Sequence, residues 1–191
     1  MLRTSFLERA LALATLSAMP QPSPAPSATG SGECDTNSAL PYDRPLEMKL
    51  SALDGPEFDL MKYRGFAVWI NVFATWCGPC NYEQPSIVSL AEKYHERGLR
   101  VIGVFDREED NTVRAYRKKY GITYPLARDR YGIMTHNLEG SATSTAYPSH
   151  LFLTSWGSLY CYRASAIGPS EMQRKIEKIL TTVKLPPPAD P

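Results

Sequence analysis

Two cysteines separated by two residues stand where an apolar run gives way to a helical pattern. The segment Trp76-Cys77-Gly78-Pro79-Cys80 follows the apolar residues 66–74 and precedes a helical pattern over residues 81–97. This order predicts a strand, a tight turn and a helix, with the first cysteine at the helix N-terminus. Unpaired N–H groups and the positive end of the helix dipole stabilise a thiolate there. We therefore predict that Cys77 is an exposed nucleophile and that Cys80 is the shielded, resolving thiol of a thiol-disulfide exchange reaction.

Zinc binding and a purely structural disulfide are the competing interpretations of this pair. A zinc site needs two further ligands at workable spacing. The other two cysteines, Cys34 and Cys161, are far apart in the sequence. The three histidines, His95, His136 and His150, do not have the spacing of a pair of zinc ligands. A structural bridge requires neither the Gly-Pro insert nor the preceding Trp. The pattern therefore favours a redox pair, with neither a metal nor another cofactor.

The run VWINVFATWCGPC at residues 68–80 continues into a longer pattern that includes Pro85, residues 101–105, Tyr147-Pro148 and Gly168. This pattern, which covers residues 46–183, resembles the thioredoxin superfamily. Within it, the pattern is most similar to the exported branch that includes TlpA, ResA and the cytochrome c maturation reductases. The resemblance implies an α/β, thioredoxin-like fold with a central mixed sheet flanked by helices, an N-terminal strand extension, and a central insertion at residues 106–138.

Hydrophobic periodicity and turn signals predict the individual elements of such a fold. Strands are predicted at residues 46–53, 57–60, 66–73, 99–105, 125–127, 149–153 and 159–163, and helices at 81–97, 109–120, 131–138 and 169–183. Residues 66–73 are nearly all apolar, as in a central parallel strand that is covered on both faces. Pro85 lies inside the first helix, where it removes a hydrogen bond and is expected to kink the helix.

The resemblance also gives Tyr147 and Pro148 a role in substrate binding. The family places a cis-proline against its cysteine pair, and a cis X-Pro bond is tolerated at the start of a strand, although an ordinary trans proline is the alternative. Backbone groups beside a cis Pro148 are expected to pair with an extended substrate segment next to the nucleophile. The predicted substrate-binding residues are Trp76, Gly78, Pro79, Tyr147 and Pro148.

Glu83 is the third predicted catalytic residue beside the two cysteines. It lies three residues past Cys80 and points toward the inward side of the helix. A half-buried carboxyl there can exchange a proton with Cys80 during resolution, while a solvated glutamate in the first turn is the alternative. Members of the branch carry a glutamate at this position, and the buried aspartate of ordinary thioredoxins is replaced by Asn71, which cannot take a proton. The proton exchange is thus assigned to Glu83 or to water.

Cys34 and Cys161 are the remaining cysteines. In an exported chain, an even number of leftover cysteines suggests that they bond to each other. Two unrelated thiols are the alternative. We predict a structural disulfide between Cys34 and Cys161 that ties the N-terminal segment to the core.

The chain is expected to contain one folded domain between two low-complexity ends. Residues 1–19 indicate a signal peptide or an N-terminal anchor, with Arg3 and Arg9 before an apolar run, although Glu8 is unusual there; a misassigned start or a transit peptide are the other interpretations. Residues 20–33 are a Pro/Ser-rich linker, 34–185 form the domain, and 186–191 a disordered tail. The net charge of +1, without a basic cluster, argues against nucleic acid as a partner.

The function predicted from these features is that of an extracytoplasmic thiol-disulfide oxidoreductase. It is expected to be a monomer in the bacterial periplasm that reduces disulfides of partner proteins at the expense of an upstream thiol reductant. Any membrane tether is assigned to the N-terminal segment. Cytochrome c or copper-site maturation are the candidate processes. The alternatives are a Cu(I) metallochaperone and a peroxiredoxin-like peroxidase, although Ala74 stands where the peroxiredoxin pattern has Thr. A cysteine protease in which His150 activates the cysteine is a further interpretation, but a Gly-Pro pair between two cysteines argues against it.

Overall fold

The structure is a computed structural model that describes residues 34–35, 42–130, 146–184 and 189–190. The signal segment, the linker and the helix predicted at residues 131–138 lie outside the described residues. Within them, seven strands form one mixed sheet in the order β2-β1-β5-β4-β3-β6-β7. The strand bounds are β1 Lys49–Ala52, β2 Phe58–Asp59, β3 Ala67–Phe73, β4 Leu99–Phe105, β5 Leu126–Arg128, β6 Ser149–Leu153 and β7 Leu159–Arg163. This is the predicted central mixed sheet with an N-terminal strand extension.

The two central strands, β3 and β4, run parallel and are the best-covered part of the sheet. They pair from Ala67 opposite Leu99 to Phe73 opposite Phe105, and every residue of β3 is buried. Both strands are apolar along almost their whole length, which suits a strand covered on both faces. Gly103 in β4 is required by packing, because a Cβ there would collide with the Leu126 side chain. Strand β5 runs parallel to β4, whereas β1 and β6 add antiparallel to β5 and β3.

In the ranges that the structure describes, three helices pack on one face of the sheet: α1 Gly78–Tyr94, α2 Asp110–Tyr120 and α3 Pro169–Leu180. A 3₁₀ turn, His95–Arg97, follows α1 directly. The β3–α1–β4 and β4–α2–β5 crossovers proceed in the same direction across the sheet, so right-handed connections place α1 and α2 on the same side. Gly121 ends α2 in the left-handed conformation, with φ of 64°. Pro85 lies inside α1, and the predicted kink stays a prediction.

Alternate residues of β3 divide the interior into two cores. Trp69 and Phe73 face the helices, and the Phe73 ring stacks on that of Tyr116 at 5.1 Å between centroids. Val68 and Ile70 face the opposite side, with the apolar residues of the N-terminal extension. The end of β3 that leads into the cysteine pair is therefore fixed from both faces of the sheet.

The N-terminal residues 34–35 are fastened to β7 at one edge of the sheet. The Sγ atoms of Cys34 and Cys161 are 2.06 Å apart, and the Asp35 backbone N–H donates to the Tyr162 carbonyl at 2.8 Å. The Asp35 carboxylate accepts from the Ala164 N–H at 2.7 Å and from Arg163 at 3.2 Å. At the other end of the chain, the Asp190 carboxylate accepts from Nε of Arg100 at 2.6 Å.

Candidate active site

The cysteine pair lies at the junction of β3 and α1. Cys77 is the N-cap residue of α1, and its Sγ accepts a hydrogen bond from the Cys80 N–H at 3.1 Å. The Asn81 N–H donates to the Cys77 carbonyl at 3.0 Å, which closes the first turn. Pro79, in the first turn, has no N–H to leave unpaired. In the described structure the pair forms a disulfide with an S–S distance of 2.09 Å.

The surface around this disulfide is exposed, whereas the sulfur-bearing residues are not. Trp76 is 72% exposed, and Gly78 and Pro79 are also exposed. Cys77 is 5% exposed and Cys80 2% exposed. The prediction of an exposed Cys77 is wrong for this oxidised form, because the bond draws the side chain of Cys77 toward Cys80 inside the turn. The assignment of Cys77 as nucleophile stays a prediction.

Glu108 holds the turn that precedes Cys77, a contact that was not predicted from the sequence. Its two carboxylate oxygens accept the Thr75 backbone N–H at 3.1 and 3.0 Å, and the Thr75 hydroxyl also donates to Oε1. Asn81 completes the arrangement, since its side-chain amide donates to the Thr75 carbonyl at 3.2 Å. The signal was present in the sequence, because the carboxyl ends of the parallel strands β3 and β4 meet at one edge of the sheet.

Tyr147 and Pro148 lie beside the end of β3. Ser149, the first residue of β6, pairs with Val72, and this register brings the residues before Ser149 alongside the chain that leads to Cys77. The Tyr147–Pro148 peptide bond is cis, as expected. The Tyr147 ring meets that of Trp76 edge-on at 5.7 Å between centroids. The predicted substrate-binding residues thus share one rim, although their role in binding stays a prediction.

Glu83 is more deeply buried than the sequence suggested. It is 3% exposed, and its Oε1 accepts a hydrogen bond from the Ile167 N–H. Its Oε2 lies 3.4 Å from Nε2 of His150, which is fully buried. Alternation along β6 places His150 on the same inward face as Phe152, a signal that was available in the sequence. What the sequence could not indicate was that this face meets Glu83.

A second buried polar group lies on the other side of α1. The side-chain amide of Gln84 donates to the Tyr124 hydroxyl, and the Tyr116 hydroxyl donates to Gln84 at 3.4 Å. Burial raises the pKa of Tyr124, and hydrogen bonds with Gln84 and Asn71 act in the opposite direction. Burial likewise raises the pKa of Tyr116. Both hydroxyls therefore stay protonated at physiological pH and serve as hydrogen-bonding groups.

The described ranges contain no group of three or more His, Cys, Asp or Glu side chains that could hold a metal ion. Among the helices of those same ranges, none has the length and apolar character needed to cross a membrane.

Comparison with known proteins gives consistent matches. Residues 43–160 match the model of the AhpC/TSA family. The thiol-disulfide oxidoreductase ResA of Bacillus thuringiensis is 35% identical over 80 residues, which are 42% of this chain and 46% of ResA. The chain therefore spans about half the length of the curated relatives that it matches first.

Solved structures match over most of the chain. A thiol:disulfide interchange protein of the thioredoxin family from Chlorobium tepidum superposes with a TM-score of 0.65 at 23% identity, over 74% of this chain and 98% of its own. A secreted disulfide oxidoreductase of Mycobacterium tuberculosis gives 0.60 at 18% identity, over 69% and 95%. These likenesses confirm the predicted thioredoxin-like fold.

Proposed function

The chain belongs to the AhpC/TSA family, and we propose that within it the protein is a thiol-disulfide oxidoreductase that reduces disulfides of partner proteins. The observation that carries this proposal is the position of Cys77, whose Sγ accepts a backbone N–H at the N-terminus of α1 and lies in bonding contact with Cys80. A thiolate at Cys77 is stabilised by that N–H and by the helix dipole. The name of the matching relative, ResA, supports the same reaction class.

The reaction consists of two exchanges that together move two electrons. In the reduced protein, the Cys77 thiolate attacks one sulfur of the partner's disulfide; a mixed disulfide forms and the partner's other sulfur leaves as a thiolate. The Cys80 thiolate then attacks the Cys77 sulfur. The Cys77–Cys80 bond forms, the bond to the partner breaks, and the partner's second sulfur leaves as a thiolate that takes a proton from water. An upstream thiol reductant returns the pair to the dithiol.

The rim around the pair suits an extended substrate segment. Trp76 and Tyr147 offer aromatic surface on one side of the turn. On the other side, the exposed Gly78 and Pro79 have no large side chain that would block an approaching substrate. The backbone beside Pro148 lies next to the end of β3, where a substrate segment can pair with it by strand addition. Aromatic contact and backbone pairing recognise an unfolded or extended chain without requiring a particular sequence.

Glu83 is proposed to accept the proton of Cys80 in the second exchange. The two residues lie one helical turn apart on the buried side of α1. Both residues are almost fully buried, so water is largely excluded and a carboxylate one helical turn away can serve as the base. Glu83→Gln should therefore slow the second exchange and change its pH dependence without unfolding the domain. Superimposable pH-rate profiles for this variant and the parent would show that Glu83 has no part in the exchange.

We also propose that the protein acts outside the cytoplasm, as a monomer in the bacterial periplasm. The pattern of residues 1–19 and the secreted Mycobacterium tuberculosis protein among the structural neighbours support an exported location. We propose that its substrates are proteins of cytochrome c or copper-site maturation. Fractionation of cells that express the full chain tests the location, and recovery in the cytoplasmic fraction would contradict it.

Insulin reduction with a thiol donor tests the activity. The parent should reduce insulin, Cys77→Ser should be inactive, and Cys80→Ser should accumulate mixed disulfides with its substrates. The same protein is titrated with Cu(I) and assayed for hydrogen peroxide consumption, because tight Cu(I) binding or peroxidase turnover without insulin reduction would favour one of the alternatives. Trapping with Cys80→Ser in the native cell identifies the partner.

A further inference from the structure

His150 is a buried imidazole next to the proposed proton acceptor, and the mechanism described above gives it no role. It lies on β6 opposite Asn71 of β3, and its ring packs at 5.9 Å from that of Trp69 and at 6.4 Å from that of Phe152. None of its surface is exposed. A polar ring in such apolar surroundings is costly unless a partner compensates it.

The charged group in contact with it, among the residues that the structure describes, is Glu83. Oε2 of Glu83 lies 3.4 Å from Nε2 of His150. In the described part of the chain, these two atoms and Nδ1 of His150 are buried and have no partner in hydrogen-bonding geometry, so the 3.4 Å approach is the polar contact open to both side chains. The second carboxylate oxygen is already occupied by the Ile167 N–H. The imidazole and the backbone N–H thus face the two oxygens of a carboxylate that is 3% exposed.

We propose that His150 is a positioning residue that keeps Glu83 in its carboxylate form by donating the Nε2 hydrogen to Oε2, an inference that rests on the proposed function. Burial alone favours the protonated carboxyl, which cannot accept a proton from Cys80. Hydrogen bonds to the charged form favour the carboxylate. His150 and the Ile167 N–H supply one such bond to each oxygen.

The proton transfer balances without any further reactant. Before the second exchange, the imidazole is neutral, with its hydrogen on Nε2, and Glu83 is a carboxylate. Cys80 gives its proton to Glu83, the Cys80 thiolate attacks the Cys77 sulfur, and the partner's sulfur leaves with the electron pair. Glu83 later returns the proton to water or to the departing thiolate. His150 keeps its own hydrogen throughout.

The charged groups around the pair are held by partners of their own. Arg163 of β7 lies directly opposite His150, and it contacts Asp35 at 3.2 Å and Glu171 of α3 at 3.5 Å. Lys175 of α3 lies 3.7 Å from Glu171.

On the α2 side, Tyr116 is a titratable group that interacts with Glu83, and Tyr120, Tyr124 and Glu108 lie around Tyr116. Burial chiefly, and the Glu83 charge in smaller part, raise its pKa, so it stays protonated. Trp69 and Asn71, from β3, do not titrate. His150 is therefore the residue placed to select the protonation form of Glu83.

The test uses a dithiobisnitrobenzoate reagent, which releases one coloured thiolate when Cys77 attacks it and a second when Cys80 resolves the mixed disulfide. The two phases are followed from about pH 5 to about pH 9 in protein with only the Cys77–Cys80 pair reduced. His150→Leu should slow the second phase by about tenfold at the acidic end, the loss expected for one hydrogen bond to a charged group, and move its rise to higher pH. The first phase should stay within about twofold of the parent.

Four further variants complete the design. His150→Gln retains a side-chain N–H and should restore most of the second phase. Glu83→Gln should be as slow as Glu83→Gln combined with His150→Leu, since His150 acts only through Glu83. His95→Gln is the matched control, because His95 is on the surface with 47% of its side chain exposed, and it should behave as the parent.

The proposal is overturned if the second-phase profile of His150→Leu superimposes on that of the parent, if His150→Gln is no faster than His150→Leu, or if the double variant is slower than Glu83→Gln. Should His150→Leu fail to fold, ¹⁵N spectra of histidine-labelled parent protein decide: a hydrogen on Nδ1 and none on Nε2 of His150 would equally overturn it. A parent that releases no second thiolate would instead contradict the proposed function itself.

Discussion

Breaking the Cys34–Cys161 bond should remove a large part of the stability of the domain. The perturbation is Cys34→Ala, because Cys34 is only partly buried, whereas Cys161 is fully buried and fills space in the core. The bond joins positions 127 residues apart. In the chain-entropy treatment, a loop of that length restricts the unfolded chain by about 5 kcal/mol. The free energy of unfolding should fall by up to this amount.

The expected change in melting temperature follows from the size of the domain. At about 2.1 cal/mol/K per residue, a domain of about 150 residues has an unfolding entropy of about 0.3 kcal/mol/K. A loss of about 5 kcal/mol then lowers the melting temperature by about 16 °C. Cys80→Ala is the matched control, because the Cys77–Cys80 bond joins positions only 3 residues apart and closes a much smaller loop. The same treatment gives about 2 kcal/mol for that bond.

Equilibrium unfolding in urea measures both losses. Oxidised and fully reduced forms of the parent and of Cys34→Ala are compared, and the reduced parent should unfold together with the reduced variant. A difference below about 1 kcal/mol between oxidised parent and variant would refute the reasoning. So would a difference of full size that persists after complete reduction, since packing rather than the covalent loop would then be its cause. Non-reducing mass mapping of protein from its native compartment shows independently whether the bond is present.

Three further predictions concern the site and the pH dependence of stability. In the reduced parent, iodoacetamide should alkylate Cys77 faster than Cys80, and equal rates would contradict the assignment of the nucleophile. Glu108→Gln should lower the free energy of unfolding by about 1 to 2 kcal/mol in urea titrations, because it weakens charge-assisted hydrogen bonds that hold the turn before Cys77. A hydrogen bond from Arg97 lowers the pKa of Glu177 below 4.5, so its contribution to stability is present above that pH and is lost as the pH falls through the folded-state value. Glu177→Gln should therefore be less stable than the parent at neutral pH, by less than about 1 kcal/mol since the pair is exposed, and equal to it in strong acid.

Much of the fold follows from local sequence patterns. The bounds of β4, β6 and β7 are those predicted, because each strand is an apolar or alternating run between clear turn signals. The prediction for α1 was less accurate at its start. Hydrophobic periodicity begins at Asn81, whereas Gly78 and Pro79 of the turn already belong to the first helical turn. Gly78 and Pro79 carry no apolar side chain that would extend the periodic pattern, so the pattern alone could not include them.

The partners of the buried polar residues could not be predicted in the same way. Glu83 was expected on the inward side of its helix, but the contact with His150 depends on how α1 crosses β6. The same holds for Gln84 and the tyrosines Tyr116 and Tyr124, which come from three separate segments. Such contacts are set by the packing of elements that are distant in sequence, and a single sequence contains no record of that packing.

The short segment at residues 34–35 affects the tendency of the protein to aggregate. β7 is the last strand of the sheet in the described part of the chain, and an edge strand has carbonyl and N–H groups that can pair with a strand from another chain. The Asp35 N–H already occupies the Tyr162 carbonyl on that edge. If extended segments bind beside Pro148, as proposed above, this contact keeps a second sheet edge closed to them. Loss of the covalent anchor should accordingly lower solubility before it lowers the rate of thiol exchange, because it opens the β7 edge of the sheet to strand-by-strand aggregation.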